Sequence, residues 1–202
     1  MGLVICILAL LGYNISMLLF SIFLWLFLGF TLLLVFIIAS SFLGFLITRV
    51  PFVTSPEKEV LSAIKEAGIT SQNIFYDLGS GNGKICFLAE KSTGAKAKGF
   101  ELTLWNYLYA KLKARLTNSK AQFYRKDFFK ENWAEANYIY AYLYPSLMRR
   151  VEEKFVADCR TGSIAIIRDF PFPNLKPFKV LSSGNGHEIY LYIHSRHAIL
   201  RV

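Results

Sequence analysis

The segment Phe75-Tyr76-Asp77-Leu78-Gly79-Ser80-Gly81-Asn82-Gly83 concentrates the residue types that could do chemistry. A short apolar strand that ends in a glycine-rich turn exposes backbone where a ligand must come close, and glycine permits the dihedrals such a turn needs. A helix after the turn directs its free N–H groups at the same place. A phosphate-cradling loop would read Gly-x-x-x-x-Gly-Lys-Ser/Thr, but here Gly83-Lys84 is followed by Ile85. The dinucleotide fingerprint Gly-x-Gly-x-x-Gly fails too, because Gly79 and Gly81 are followed by Gly83 and then Lys84. Two more carboxylates stand at comparable points: Glu101 lies 18 residues after Gly83 in Gly99-Phe100-Glu101-Leu102, and Asp127 follows Arg125-Lys126. A carboxylate in the position of Glu101 can accept both hydroxyls of a ribose. Taken singly, Asp77 could cap a loop, Glu101 could be a surface charge and Asp127 could cap a short helix. Their joint spacing places all three at the carboxyl ends of adjacent strands, the edge where open α/β sheets bind ligands.

The elements that must position these residues follow from periodicity and punctuation. Thr54-Ser55-Pro56-Glu57 reads as a helix start, with Ser55 as cap, Pro56 in the first helical position and Gly68 as the stop. Strands are expected at Ile74–Leu78, Lys96–Leu102, Ala121–Arg125, Asn137–Leu143 and Ser163–Arg168. Helices are expected at Lys84–Ser92, Leu104–Leu116 and about Ser146–Asp158. The second of these helices places Leu104, Leu108, Leu112 and Leu116 on one face, with Lys111, Lys113 and Arg115 elsewhere. Three prolines between Pro171 and Pro177 exclude regular helix, and Lys179–Leu181 with Glu188–His194 reads as a hairpin. Strands alternating with helices predict an α/β fold: a mostly parallel sheet covered on both faces and closed by a C-terminal antiparallel hairpin.

Ahead of this lies a different kind of sequence. The chain has 202 residues and a net charge of +9, yet no Asp, Glu, Lys, Arg or His occurs before Arg49. An uncharged run of 48 residues would be roughly 70 Å long as one helix, against a hydrocarbon core of about 30 Å. Two spans are therefore expected, near Leu3–Phe23 and Leu26–Ile47, with a turn at Leu24–Gly29. A break at Gly12-Tyr13-Asn14 would instead leave one well-formed span near Leu18–Ala39. A cleaved signal peptide would need a basic n-region and a shorter apolar core. Arg49, Lys58 and Lys65 follow the apolar block closely, so the positive-inside rule puts the charged part on the cytoplasmic side. Reduced Cys86 and Cys159 agree with that compartment. The charge excess on a domain held at the bilayer favours anionic headgroups rather than nucleic acid. No metal-ligand spacing occurs among Cys and His, so no metal is expected.

The glycine segment, Asp77-x-Gly79-x-Gly81-x-Gly83, resembles motif I of the class I S-adenosylmethionine (SAM)-dependent methyltransferases. That resemblance implies a Rossmann-like methyltransferase sheet and SAM as cofactor. It implies binding by Asp77, Gly79, Ser80, Gly81 and Gly83, with Glu101 at the ribose and Asp127 near the adenine amino group. Ala141-Tyr142-Leu143-Tyr144-Pro145-Ser146-Leu147-Met148 and Arg168-Asp169-Phe170-Pro171-Phe172-Pro173, with Val50-Pro51-Phe52-Val53, narrow it. They are similar to the membrane-anchored protein-lysine methyltransferases, which include the mitochondrial enzymes that modify adenine nucleotide translocase and the c-ring protein of ATP synthase. The match runs from about Val50 to Pro173; two apparent spans instead of one, and Asn82 where an acid is common, depart from it. The implied organisation is a transmembrane anchor over 1–48 and a methyltransferase domain over 49–202, acting on a lysine of a membrane protein. Methylation of a lipid or quinone fits the same tether, and a non-catalytic scaffold keeping the fold is the third alternative. Tyr138, Tyr140, Tyr142 and Tyr144 alternate along the fourth strand. Tyr142, Tyr144 and Pro145, nearest its carboxyl end, are the candidates for the acceptor pocket, while Tyr138 and Tyr140 are expected to pack. His187, His194 and His197 have no evident partner.

Overall fold

The structure, a computed structural model, describes residues 15–48, 56–182 and 186–195. It divides into two compact units, Met1–Leu43 and Gly44–Val202.

The described residues of the first unit are helical, and the helix continues a few residues past it. α1 (Ile15–Thr48) is uninterrupted, and its stretch Ile15–Ser40 is long and apolar enough to cross a membrane. The turn expected at Leu24–Gly29 does not form, and the helix passes straight through it. No proline or charge interrupts the ladder there, and the strong helix formers Leu24, Leu26 and Leu28 precede Gly29. The first expected span begins, and the Gly12-Tyr13-Asn14 break falls, outside the described residues. Hydroxyls within the helix close on its own backbone: Thr31 Oγ1 donates to Leu28 O at 2.8 Å and Ser40 Oγ to Ile37 O at 2.9 Å. Such internal satisfaction is what an apolar solvent requires.

The second unit alternates β and α: α2 (Glu57–Glu66), β1 (Ile74–Leu78), α3 (Lys84–Thr93), β2 (Lys96–Phe100), α4 (Leu104–Leu116) and β3 (Gln122–Tyr124). A 3-10 turn at Phe128–Lys130 leads to β4 (Tyr138–Ala141), α5 (Pro145–Asp158), β5 (Ile164–Arg168), β6 (Lys179–Ser182) and β7 (Glu188–Ile193). One seven-stranded sheet results, in the order β3-β2-β1-β4-β5-β7-β6. The first five strands are parallel, and β7 pairs antiparallel with both β5 and β6. The expected α/β sheet with a terminal hairpin is therefore what the chain forms. Chain order runs outward in both directions from β1 and β4, which makes their carboxyl ends the switch point of the sheet.

Both faces are covered. α2, α3 and α4 enclose Phe75, Ala97, Tyr140 and Ile166 on one side. On the other, Met148, Val151 and Phe155 of α5 pack on Leu78, Ile139 and Ile167. Burying side chains of this size contributes about 1.5–3 kcal/mol each. Strands buried on both faces read as continuous apolar runs, which is why Ile74–Leu78 and Ile164–Arg168 are visible as such. α2 starts one residue later than expected, with Pro56 as its N-cap, and Ser55 lies outside the described residues. It ends as expected: Ile69 N–H reaches Ile64 O and Gly68 N–H reaches Lys65 O, the paired bonds of a glycine-terminated helix.

α4 differs from the simple amphipathic picture. Its leucines do share a face, but Ala110 and Ala114 are the residues that pack inward, while Leu108, Leu112 and Leu116 are exposed. Small side chains bring the helix backbone close to the sheet and leave no room for leucine there. β4 is also shorter than expected, so Tyr142 and Tyr144 lie beyond it rather than within it. Tyr138 and Tyr140 pack as expected, Tyr138 donating to Ala67 O at 3.0 Å and Tyr140 lying buried in the core.

Candidate active site

The carboxyl ends of β1, β2 and β4 converge on the glycine loop. Asp77 is the fourth residue of β1, paired in register with Gly99 of β2 and Tyr140 of β4. After it the chain folds back: Gly79 and Ser80 N–H groups both donate to Phe100 O at 2.9 Å, and Gly83 N–H donates to Ser80 O at 2.8 Å. Gly79, Gly81 and Gly83 have φ of 78°, 53° and 79°, the left-handed region that a side chain disfavours. At Gly83, the N-cap of α3, a Cβ would also stand 2.5 Å from the Phe123 ring. Gly83→Ala is accordingly expected to destabilise the fold by about 1–3 kcal/mol, measurable as a lower midpoint in thermal unfolding. Gly99 plays the matching part in β2, since a Cβ there would meet Ser80 Oγ at 2.6 Å.

Glu101 closes the loop from the neighbouring strand. Its Oε2 accepts from Gly81 N–H at 2.8 Å and its Oε1 from Thr103 N–H at 2.7 Å. A carboxylate offers about four lone-pair sites, so both oxygens keep capacity toward a ligand. Ser80 Oγ is buried with no hydrogen-bond partner among the described residues, and a buried hydroxyl left open is what a bound polar group would satisfy. Three left-handed glycines, a spare carboxylate and an open hydroxyl at one switch point fit SAM. Asp127 stands three residues past β3 and caps the 3-10 turn, accepting from Phe129 N–H at 3.0 Å. The structure thus gives it the capping use recognised in the sequence, at the same sheet edge.

Asp77 is 2 % exposed. Burial first, opposed by the Cys86 bond and reinforced by the Glu101 charge, pushes its carboxyl up from 3.8 to about 7. Cys86 Sγ contacts Asp77 Oδ2 at 3.8 Å. Burial and then Asp77 hold this thiol well above its ordinary range, so it stays protonated as a donor. Two consequences follow for Asp77. The ligand-free fold binds a proton that the unfolded chain releases, so stability is highest below pH 3.8 on this account and declines as pH rises toward about 7. A cationic ligand such as SAM favours the ionised form, so its affinity is expected to rise about tenfold per pH unit below 7 and level off above. Asp77→Asn should flatten both profiles, read by thermal unfolding and by calorimetric titration across about pH 5–8.

The ends of β4 and β5 form the other wall. Leu143 Cδ2 lies 3.0 Å from where a Gly79 Cβ would be, so the segment after β4 packs directly on the glycine loop. Tyr142, just before it, stacks on Phe170 at 6.3 Å between ring centroids, and the Arg168 guanidinium lies 5.4 Å from its ring centre. Burial first and the hydrogen-bonded Asp169 carboxylate second raise the Tyr142 hydroxyl above its ordinary range, so it stays a neutral donor. Tyr144 N-caps α5 and is 44 % exposed, with Pro145 as the first helical residue. Leu143 is brought to the loop, whereas Tyr142 lies against Phe170 and Arg168, and Tyr144 and Pro145 form the start of α5.

Asp169 does not stand out in the sequence. It has φ of 61°, uncommon for a residue with a side chain and a mark of functional constraint. Its carboxylate faces His187 Nδ1 at 3.0 Å, Arg168 Nε at 3.7 Å and Glu188 N–H at 3.2 Å. Arg168, 1 % exposed, is in turn paired with Glu59 of α2. His187 therefore has a partner, contrary to expectation, and so does His194, whose Nε2 lies 3.1 Å from Val156 O. His197 lies outside the described residues. The sequence signals for Asp169 are its place just after a strand, ahead of a proline-rich strap, and within the Arg168–Pro173 segment that carries the family resemblance.

Comparison with known proteins gives this arrangement a setting. Residues 77–179 match the family model described as the ANTKMT methyltransferase domain. A protein-lysine N-methyltransferase of Saccharolobus islandicus (strain REY15A) is 26% identical over 157 residues, covering 75% of this chain and 98% of that one. The human lysine N-methyltransferase named for the c-subunit of ATP synthase is 28% identical over 160 residues, covering 77% and 68%. The mouse adenine nucleotide translocase lysine N-methyltransferase is 31% identical over 110 residues, covering 54% and 48%. Among solved structures, an RNA methyltransferase from Salinibacter ruber in complex with S-adenosyl-L-homocysteine superposes with a TM-score of 0.69 at 23% identity, covering 71% of this chain and 95% of that one. At that identity it speaks for the fold alone.

Proposed function

This chain belongs to the ANTKMT methyltransferase domain family and is a SAM-dependent methyltransferase, and from that premise we propose that it N-methylates a lysine of a membrane protein while α1 tethers it to the bilayer. The anchor is residues 1–48 and the catalytic domain 49–202, which faces the cytoplasmic side. The observation that carries the reading is the stacked pair Tyr142 and Phe170 at the ends of β4 and β5, next in sequence to Leu143, which lies against the glycine loop. Relatives named as lysine methyltransferases support the acceptor, and two of them are named for membrane-protein targets.

When bound, SAM supplies an electrophilic methyl on a sulfonium, already activated for in-line transfer. What is left to the protein is positioning. Gly79, Ser80, Gly81 and Gly83 form the cradle, Asp77 supplies buried negative charge, Glu101 receives the ribose hydroxyls and Asp127 sits at the adenine side. Tyr142, Tyr144 and Pro145 form the acceptor pocket. A lysine ammonium must lose a proton before it can attack, and an aromatic, water-poor mouth lowers its pKa by disfavouring the charged form. Asp169 is a positioning residue: its carboxylate bears on the Tyr142 hydroxyl and, through His187 and Glu188 N–H, ties the β5 end of the wall to β7.

Mass spectrometry of membrane proteins from cells with and without the gene tests the proposal. A lysine methylated only when the gene is present is expected; an unchanged set of methylated lysines would count against it.

A further inference from the structure

We infer that α4 is an interfacial helix whose outward face rests on an anionic lipid surface. The inference rests on the reading that the chain works at a membrane, and it assigns a second contact within the catalytic domain. Ala110 and Ala114 take the inward face of α4, while Leu108, Leu112 and Leu116 are 42%, 57% and 74% exposed. At 3.6 residues per turn these leucines form one continuous outward stripe, with Trp105 and Tyr109 alongside. Leu102, just before the helix, is exposed as well. A stripe of this extent is not needed for the fold, since alanines make the contact with the sheet.

The flanks identify the occupant. Lys111 and Arg115 lie exposed on one side of the stripe, Lys113 on the other side lies over the Phe87 ring at 5.0 Å, and Leu104–Leu116 contains no acidic residue. Large aliphatic side chains in the middle, amphipathic rings toward one end and the long basic side chains of Lys111 and Arg115 along the edge match the layering of a bilayer interface. Rings suit the headgroup level, and the basic ends reach the phosphates. A net charge of +9 adds attraction to anionic lipid. α4 begins three residues after Glu101, so this contact brings the ribose side of the cofactor site to the lipid surface, where an acceptor lysine of a membrane protein would emerge.

The test uses the full chain in lipid nanodiscs, with Cys6→Ser so that an introduced cysteine is the accessible thiol; Cys86 and Cys159 are buried. An environment-sensitive fluorophore is attached at Leu108→Cys, at Leu112→Cys, or, as control, at Glu153→Cys on α5 over the opposite face of the sheet. In discs containing phosphatidylglycerol, emission at 108 and 112 should shift to the blue, be quenched by doxyl lipids and be protected from aqueous iodide, with 153 unaffected. In phosphatidylcholine alone, or at high salt, the shift should weaken. Iodide quenching at 112 equal to that at 153 would overturn the inference. So would protection without doxyl quenching, which would mean that protein covers the face, whether another segment or a second copy. Co-flotation with liposomes tests the α1 tether separately: lost flotation counts against the tether, whereas retained flotation with an iodide-accessible label counts against α4 alone.

Discussion

Replacing Glu101 with alanine is expected to weaken SAM binding by about 1.5–3 kcal/mol, roughly ten- to hundredfold in affinity. Two losses combine. The charge-assisted bonds proposed to the ribose hydroxyls would go, and so would the observed bonds that hold Gly81 N–H at 2.8 Å and Thr103 N–H at 2.7 Å. The second loss frees the glycine loop, so part of the binding energy would have to reorder it. Glu101→Gln separates the contributions incompletely, because an amide NH2 placed against either backbone N–H cannot accept. It should fall between wild type and alanine. Isothermal titration of the full chain in detergent or nanodiscs measures this directly, and an affinity unchanged in Glu101→Ala would remove Glu101 from the site.

Tyr142→Ala is expected to reduce methyl transfer about a hundredfold while leaving SAM affinity within about twofold. The ring stacks on Phe170 and lies by the Arg168 guanidinium, with the Asp169 carboxylate acting on its hydroxyl, so its removal should unmake one wall of the proposed acceptor mouth while Leu143 stays against the glycine loop. Tyr142→Phe keeps the stacking and loses only the oriented hydroxyl, and should show a smaller fall. Asp169→Asn is the matching variant, because asparagine tolerates the left-handed backbone at φ of 61°. If Asp169 acts through Tyr142, Asp169→Asn should lower kcat by about as much as Tyr142→Phe, and combining the two should add little. Equal losses of SAM affinity and turnover in Tyr142→Ala would instead place this tyrosine in the cofactor site.

Much of the fold is legible in the sequence because its strands are buried on both faces and its helices are bounded by glycine and proline. Ile74–Leu78 and the turn after it stand out for that reason, and so does Gly68 as a stop. Spacing alone also groups Asp77, Glu101 and Asp127 at one sheet edge. Other features depend on partners that spacing does not reveal. Periodicity groups the α4 leucines but does not say that Ala110 and Ala114 take the inner face. Hydrophobic length alone argues for a break in α1, whereas uninterrupted backbone hydrogen bonding keeps the helix whole through Leu24–Gly29. Asp169 and His187 meet only because β7 folds back antiparallel on β5. Glu59 and Arg168 meet because α2 packs across the sheet to the same end.

Whether the methyl acceptor is a lysine of a membrane protein is decided by one labelling experiment. The full chain is incubated with native membranes and SAM carrying a labelled methyl group, followed by extraction with organic solvent and acid hydrolysis of the residue. Label is expected to stay with protein and to be recovered as methylated lysine, and Glu101→Ala and Tyr142→Ala should both diminish it. Label that passes wholly into the organic phase would rule out a protein acceptor and assign the activity to a lipid or quinone.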